Sequence, residues 1–217
     1  MKHKIIFATG NAGKMREIRE ILRDLDAEIL SMKEAAIEAD IVEDGNTFEE
    51  NAVIKARTVA RILGDHAGGI YADAIVVADD SGLEIDYLNK EPGIYSARYL
   101  GEDTPYSVKN HNLLERLDGV PEEQRGARFV CAIAAVMPDG EVVTTLGTIE
   151  GRIGHQERGN NGFGYDPIFY VPEYGCTTAE LSEEEKNRIS HRGRALEAMK
   201  PELKKRILKW YENTDCK

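Results

Sequence analysis

The stretch Ala78-Asp79-Asp80-Ser81-Gly82 decides how this chain is interpreted, because it sets two adjacent carboxylates among strongly apolar neighbours. It follows the strand-like run 75–77 and leads into Leu83 and Ile85. Carboxylates at a buried strand are costly unless a cation neutralises them, and hard oxygen ligands suit Mg²⁺. Asp, Ser and Gly are also common in solvated turns, so this stretch alone leaves a metal site and a turn equally open.

Composition and charge narrow the class of protein. The chain has 217 residues, of which 31% are charged and 41% hydrophobic, as expected of a soluble globular protein with one domain or two small lobes. A formal net charge of -11 argues against a nucleic-acid partner, because binding to the phosphate backbone requires a basic surface. A nucleotide remains possible, because a small anion needs only a local cluster of donors and cations.

Targeting signals and cysteines indicate the compartment. The apolar run after the basic N-terminus ends at Thr9-Gly10, which is too short for a signal-peptide core, and no stretch is long enough for a transmembrane helix. Cys131, Cys176 and Cys216 are widely spaced and suggest neither disulfides nor a zinc site. We therefore expect a cytoplasmic protein that does not bind membranes.

The pattern of apolar residues predicts a mixed order of strands and helices. Strands are expected at 4–8, 28–32, 128–136 and 141–147, and within 75–85 two strand-like runs flank residues 78–82. Helices are expected after Gly13, after the capping boxes at Thr47 and Ser182, and up to Gly119, with Pro201 kinking or restarting the last helix. This order predicts an α/β class and one domain, 1–217, without a linker. Because candidate site residues are scattered along the chain, we expect two lobes with a cleft between them.

Thr9-Gly10-Asn11-Ala12-Gly13-Lys14 resembles a phosphate cradle between the first strand and the first helix. Glycines let backbone N–H groups face an anion, the helix N-terminus adds a positive dipole, and Lys14 adds a full charge. It is not a Walker A loop, because Ala8 stands where that motif has Gly and Met15 replaces its Ser or Thr. The alternative is an ordinary turn with a surface lysine, and we favour phosphate binding.

Two acidic segments are candidates for a metal site. Glu43 and Asp44 precede a predicted helix and, with Asp79 and Asp80, could supply oxygen ligands from two parts of the chain. Lys55 follows on that helix, where a solvated face is the simpler interpretation. A surface loop is an equally good interpretation for Glu43.

Two further segments carry candidate nucleotide-binding groups. In the Gly-rich segment 159–167, Phe163 and Tyr165 are bracketed by glycines, so their rings could be presented to a purine, or Phe163 could instead plug the core. In Ser190-His191-Arg192, the guanidinium could donate to a purine 6-oxo group but not to the 6-amino group of adenine. The alternative is a surface His-Arg pair near a helix start.

Six stretches, in the same order, resemble the inosine/xanthosine triphosphate pyrophosphatase family. They are ATGNAGK, EDGNTFEENAVIKA, VVADDSGL, PGIYSARY, GFGYDPIF and SEEEKNRISHRGRAL, and they run from Ile5 to Leu196. The tail after Met199 carries no such motif. The resemblance implies a two-lobed α/β fold with a central cleft, a homodimer, and Mg²⁺-dependent hydrolysis of a nucleoside triphosphate to monophosphate and pyrophosphate.

The resemblance also implies roles for individual residues. Asp80 would be the proton acceptor and a metal ligand, with Glu43 as the second ligand. The remaining matched positions would bind the substrate: Thr9, Gly10, Asn11, Ala12, Gly13, Lys14 and Lys55 at the phosphates with Ser81 beside them, Phe163, Gly164, Tyr165 and Asp166 around base and sugar, and Lys186, His191 and Arg192 completing the site. Arg98 falls in PGIYSARY without a firm role.

The chemistry of these residues agrees with a hydrolase that acts on ITP, dITP and XTP and removes deaminated purines from the nucleotide pool. Metal and lysine would neutralise the pyrophosphate leaving group, and a carboxylate would accept a proton from water. Two alternatives stay open: a pyrophosphatase of the same fold for another modified or pyrimidine nucleotide, and a nucleotide-binding module without catalysis.

Overall fold

The structure is a computed structural model that describes residues 2–65 and 69–214. Within those ranges seven strands and five α-helices follow one another in a mixed order. The strands are β1 His3–Phe7, β2 Ala27–Ser31, β3 Ile75–Ile85, β4 Gly126–Val136, β5 Val142–Ile153, β6 Phe169–Val171 and β7 Cys176–Thr177. The helices are α1 Ala12–Ile21, α2 Phe48–Asp65, α3 Tyr106–Arg116, α4 Glu183–Ile189 and α5 His191–Thr214.

All seven strands belong to one mixed sheet in the order β2-β1-β3-β4-β5-β6-β7. β1 is parallel to both β2 and β3, whereas β6 is antiparallel to β5 and β7. Parallel neighbours need a crossover, which α1 supplies between β1 and β2. The predicted α/β class with a mixed sheet is therefore confirmed, while the single-domain organisation and the cleft stay predictions.

β3 runs without interruption through Asp79, Asp80, Ser81 and Gly82, so the turn that these residue types suggested is not formed. Of its 11 residues, nine are buried. Side chains alternate along a strand, which sends Asp79 and Asp80 to opposite faces. Each face of β3 must therefore accommodate its own carboxylate.

Other elements differ from the expected pattern at their ends. α1 ends at Ile21, so the buried Leu25 lies beyond the helix. The predicted last helix is two helices, because Ser190 has extended backbone angles of φ -66° and ψ 155° between α4 and α5. Pro201 lies inside α5, which continues on both sides of it. The capping box at Ser182 is formed as predicted, with reciprocal bonds to Glu185.

The chain divides into two compact units, each with its own apolar interior. The first unit comprises Met1–Asp80, Ala132–Leu146 and Gly193–Lys217, and the second comprises Ser81–Cys131 and Gly147–Arg192. Fully buried side chains of the first unit include Ile5, Ile18 and Ile75. Leu83, Leu113 and Phe169 anchor the core of the second unit.

Two further expectations concerned disulfides and transmembrane helices. Cys131 is buried and Cys176 is partly exposed, and neither forms a disulfide within the described residues, whereas Cys216 lies outside them. Between residues 2 and 65 and between 69 and 214, no helix has the length and apolar character that crossing a membrane requires.

Asp24 ties the segment after α1 to the C-terminal helix α5, both within the first unit. Its carboxylate lies 2.9 Å from Lys200 and 2.9 Å from Lys204. Hydrogen bonds from Lys200 and, to a smaller extent, from Lys204 lower the pKa of Asp24 from 3.8 to about 2. A depressed carboxyl pKa stabilises the fold at neutral pH, and this contribution is lost as the pH falls through that range.

We predict that Asp24→Asn lowers the free energy of unfolding at pH 7 and that its difference from the parent protein disappears near pH 2. Urea denaturation at a series of pH values measures this. Asp26→Asn is the control, since Asp26 makes a single exposed pair with Lys2 at 3.3 Å. A penalty for Asp24→Asn that does not depend on pH would contradict the assigned role of its charge.

Candidate active site

The first group of predicted site residues surrounds the start of α1 in the first unit. The N-cap of α1 is Asn11, whose Oδ1 accepts a hydrogen bond from the backbone N–H of Lys14 at 3.0 Å. Thr9 Oγ1 accepts from the N–H of Asn11 at 3.2 Å. Gly10, Asn11 and Ala12 are exposed. The positive end of the α1 dipole is therefore open to an anion from solvent.

Lys14 is paired rather than extended into solvent. Its Nζ lies 2.9 Å from Asp79 Oδ2, and the Asp79 carboxylate is only 1% exposed against 20% for the lysine side chain. A buried carboxylate needs a cationic partner, so this pair fixes the ammonium beside the first turn of α1. Lys14 is thus placed where the dipole of α1 and its own charge act on the same anion.

The second group lies along one face of α2. Lys55 Nζ contacts Glu43 Oε2 at 3.0 Å and Asp80 Oδ1 at 3.2 Å. Asn51, four residues before Lys55 and hence on the same helix face, donates from Nδ2 to Asp80 Oδ2 at 3.2 Å. The solvated position considered for Lys55 is wrong, since only 8% of the residue is exposed.

Asn51 also fixes the acidic loop that precedes α2. Its Oδ1 accepts from the N–H of Gly45 at 2.9 Å. A Cβ at Gly45 would lie 2.7 Å from that same oxygen, so the close approach requires glycine. Asn51 was not predicted as a site residue. The sequence does show an amide one helical turn before Lys55. This spacing indicates a site residue only once Asp80 is known to face α2.

The named groups carry more negative than positive charge. Among them are three carboxylates, those of Glu43, Asp79 and Asp80, but only two ammonium groups that pair with these, those of Lys14 and Lys55. Burial opposes the charge of Lys55, yet Asp80, Asp79 and Glu43 outweigh it and raise the pKa of the lysine. Burial raises the pKa of Asp80, Glu43 adds to that rise, and Lys55 and Lys14 oppose it.

This excess of negative charge fits a divalent cation. Glu43 and Asp80 come from different segments and converge on one ammonium, so two hard oxygen donors lie where positive charge is needed. In residues 2–65 and 69–214, no cluster of three or more His, Cys, Asp or Glu side chains is arranged to hold a metal ion. Two carboxylates are nevertheless sufficient for Mg²⁺, which usually keeps several waters and binds substrate phosphates.

In the second unit, Asp166 organises the Gly-rich loop. Its Oδ2 accepts from the N–H of Phe163 at 2.8 Å and from Lys186 Nζ at 2.6 Å, and its Oδ1 accepts from Thr178 Oγ1 at 2.8 Å. Gly162, at φ +75°, has no room for a Cβ beside the same carboxylate. The loop is therefore held in one shape by a buried ion pair.

The ring of Phe163 is partly exposed and has the cationic groups of Lys186 and Arg192 close to it. Lys186 Nζ is 4.8 Å and the Arg192 guanidinium carbon is 5.6 Å from the ring centroid. Arg192 is only 2% exposed and donates from Nη2 to Ser81 Oγ at 3.1 Å. Ser81, predicted to lie beside the phosphates, is thus in contact with a residue predicted to recognise the base.

Two of the predicted site residues, Tyr165 and His191, have buried rings in the second unit. Tyr165 is 4% exposed and donates from its hydroxyl to Ser96 O at 2.7 Å, so the expectation that this ring is presented is wrong. His191 is 8% exposed and stacks on Phe129 with 4.8 Å between centroids. A surface position for His191 is also wrong. Arg98 lies over the ring of Tyr95 at 4.9 Å.

Comparisons with known proteins agree on one family. A model of the Ham1 family matches residues 5–202. The dITP/XTP pyrophosphatase of Clostridium perfringens is 52% identical over 201 residues, which cover 93% of this chain and 97% of that protein. A solved HAM1 protein from Coxiella burnetii is 41% identical with a TM-score of 0.81, covering 94% of this chain and 99% of its own. The solved Ham1 protein of Staphylococcus aureus is 41% identical with a TM-score of 0.79, covering 92% and 97%.

We predict that Asp166→Ala lowers the free energy of unfolding by about 3–5 kcal/mol, because it removes one partner of a buried ion pair and two further hydrogen bonds. Urea denaturation monitored by circular dichroism measures the loss. Glu157→Ala, an exposed acid in the same segment, is the control and changes stability by less than about 0.5 kcal/mol. Equal losses for the two variants would show that the Asp166 pair does not hold the loop.

Proposed function

Because the chain belongs to the Ham1 family, we propose that it hydrolyses the non-standard purine nucleoside triphosphates ITP, dITP and XTP to monophosphate and pyrophosphate. The observation that carries the proposal is the cluster of Glu43, Lys55 and Asp80, which has the carboxylates and the ammonium that such hydrolysis requires. The proposed role is the removal of deaminated purines from the nucleotide pool.

Magnesium is the proposed cofactor, held by Glu43 and Asp80. When bound, Mg²⁺ supplies positive charge that stabilises the phosphate oxygens in the transition state. The excess of carboxylates over ammonium groups around Lys55 supports this assignment.

Asp80 is the proposed proton acceptor for the attacking water. Burial raises its pKa above the usual carboxyl value, which brings it closer to that of an effective base at neutral pH. Asn51 and Lys55 each contact a different oxygen of this carboxylate, at 3.2 Å in both cases, and so limit its rotation. A fixed carboxylate loses little entropy when it engages water.

The proposed phosphate contacts are the N-terminus of α1, Lys14 and Lys55. Attack at the α-phosphorus releases pyrophosphate, whose charge must be neutralised as the bond breaks. The start of α1, whose first residues are exposed, and the ammonium of Lys14 would supply the donors. No covalent intermediate is needed.

The proposed base contacts lie in the second unit. The partly exposed ring of Phe163 offers a face on which a purine can stack. Arg192 carries donors that suit the 6-oxo group of hypoxanthine and xanthine and do not suit the 6-amino group of adenine. Its contact with Ser81 supports a fixed orientation for the guanidinium.

We further propose that the protein works in the cytoplasm, where the nucleotide pool lies, and that it forms a homodimer. Tyr87, Tyr95 and Leu100 in the second unit are 49%, 57% and 50% exposed. Exposed apolar side chains of this size support contact with a second copy.

The proposed function is tested by measuring pyrophosphate release from ITP, XTP, dITP, GTP and ATP, with Mg²⁺ and with EDTA. We expect release that depends on Mg²⁺ and strongly favours the first three. Faster release from a pyrimidine or a methylated nucleoside triphosphate, assayed beside these five, would replace the proposed substrate class. Calorimetric binding of ITP without release would instead indicate a binding module, and equal turnover of all five would overturn the proposed selectivity.

We predict that Asp80→Asn retains the fold and loses at least about 10²-fold in kcat, because an amide cannot accept the proton. Steady-state kinetics on ITP, with circular dichroism as the check on folding, measure the change. Glu38→Gln, at an exposed acid of the first unit, is the control and keeps kcat. Unchanged kcat/KM in Asp80→Asn would remove the assigned role of Asp80.

We predict that Lys14→Ala raises KM for ITP and lowers kcat together, since the ammonium is proposed to contact both substrate and leaving group. Each effect is expected to be about tenfold or more. Lys33→Ala, an exposed lysine of the first unit, serves as the control in the same assay. Kinetics of Lys14→Ala that match those of Lys33→Ala would exclude the phosphate contact.

A further inference from the structure

One face of α3 carries two buried polar side chains, those of Lys109 and Asn110, beside the exposed Tyr106. Tyr106, Lys109 and Asn110 have the i, i+3, i+4 spacing that places them together on a helix. Lys109 is 0% and Asn110 is 2% exposed. Burying an amide and an ammonium is costly, so the contacts that they make define what this face does.

The first contact is with the loop that carries Phe163. Asn110 Nδ2 donates to the backbone carbonyl of Gly164 at 3.2 Å. The ring of Tyr106 packs edge-on against Tyr165, with 5.2 Å between centroids and 88° between planes. A Cβ on Gly164, which has φ +68°, would lie 3.5 Å from the Tyr106 ring. The helix therefore holds the backbone immediately after Phe163.

The second contact is with residues 96–97, which the same loop also reaches. Lys109 Nζ donates to Ala97 O at 2.5 Å, and the hydroxyl of Tyr165 donates to Ser96 O at 2.7 Å. Ser96 is itself fixed, because its Oγ accepts from the N–H of Leu83 at 2.9 Å. The α3 face thus joins two chain segments far apart in sequence.

Among the described residues, Asn110 makes one of the four hydrogen bonds that an amide side chain can form. Its Oδ1 is buried and has no hydrogen-bond partner among the described residues. Rotating the amide would direct Oδ1 at the carbonyl of Gly164, so the donor requirement of that carbonyl fixes the orientation. A buried unpartnered oxygen lowers stability, so packing alone does not account for an amide at this position.

We propose that Asn110 is a positioning residue for recognition of the purine base, and that Tyr106 assists it by supporting Gly164 and Tyr165. This inference rests on the proposed function. By holding the backbone at Gly164, Asn110 fixes the ring of Phe163 before the substrate arrives. Affinity for the base therefore depends on α3, whereas affinity for the phosphates, assigned to the first unit, does not.

The test compares Asn110→Leu and Asn110→Asp with Asn112→Leu. Both changes at 110 remove the donor to Gly164, one with an apolar and one with a charged side chain. Asn112 is the matched control, because its Oδ1 accepts from Tyr99 at 2.7 Å on the same helix. The readouts are KM and kcat for ITP and the inhibition constants of inosine monophosphate and of pyrophosphate.

We expect both Asn110 variants to raise KM for ITP and the inhibition constant of inosine monophosphate by about fivefold to tenfold, the worth of one hydrogen bond. Two values should stay within about twofold of those of the parent protein: kcat and the inhibition constant of pyrophosphate. Neither depends on the loop that carries Phe163. Asn112→Leu changes none of these values. Equal weakening of pyrophosphate and inosine monophosphate, or base-specific weakening in Asn112→Leu, overturns the proposal.

A second pair of variants and a second measurement guard against loss of folding. Tyr106→Phe keeps the ring and is expected to match the parent protein, whereas Tyr106→Ala raises KM for ITP.

Hydrogen exchange of residues 159–166 without substrate should be faster in Asn110→Leu and unchanged in Asn112→Leu. Unchanged exchange in Asn110→Leu overturns the proposal. A parent protein that is folded but releases no pyrophosphate from ITP overturns the proposed function and this inference together. An active parent with unaffected Asn110 variants overturns the inference alone.

Discussion

Two consecutive carboxylates on a buried strand are the constraint on which the site in the first unit depends. Strand geometry sends Asp79 and Asp80 to opposite faces of β3, so no single cation can neutralise both at hydrogen-bond distance. α1 supplies Lys14 to one and α2 supplies Lys55 to the other. The two helices are thereby fixed by charge as well as by apolar packing. Glu43 then adds a third carboxylate, and the resulting excess of negative charge suits a divalent cation bound together with a polyphosphate.

Local sequence signals predicted the elements that local interactions form. Ser182 and Glu185 make their capping box with neighbours three residues apart, and the strand pattern of residues 4–8 reflects burial on both faces. β3 could not be read as one strand, because Asp, Ser and Gly in sequence are equally typical of a turn. The strand continues through them because it pairs within the sheet, and lysines from two distant helices neutralise its carboxylates. The family motifs identified the same residues without revealing that arrangement.

The Gly-rich loop shows more clearly what the sequence alone does not predict. Its glycines predicted a loop that displays aromatic rings, but composition cannot tell which ring faces inward. Tyr165 is buried because its hydroxyl reaches Ser96, 69 residues away in the chain, while Phe163 stays partly exposed beside Lys186. Asn110 contacts this loop across 54 residues and has no motif of its own. Long-range contacts of this kind appear only once the chain has folded.

The site in the first unit depends most directly on the coupling between Lys55 and Asp80. It is measured by the free energy of unfolding of the parent protein, Lys55→Met, Asp80→Asn and the double variant. Removing the ammonium leaves the carboxylates of Glu43 and Asp80 facing one another, so Lys55→Met should be strongly destabilising. In the Asp80→Asn background that cost should fall by about 1–3 kcal/mol. The same cost in both backgrounds would contradict the claim that charge pairing on β3 builds the site.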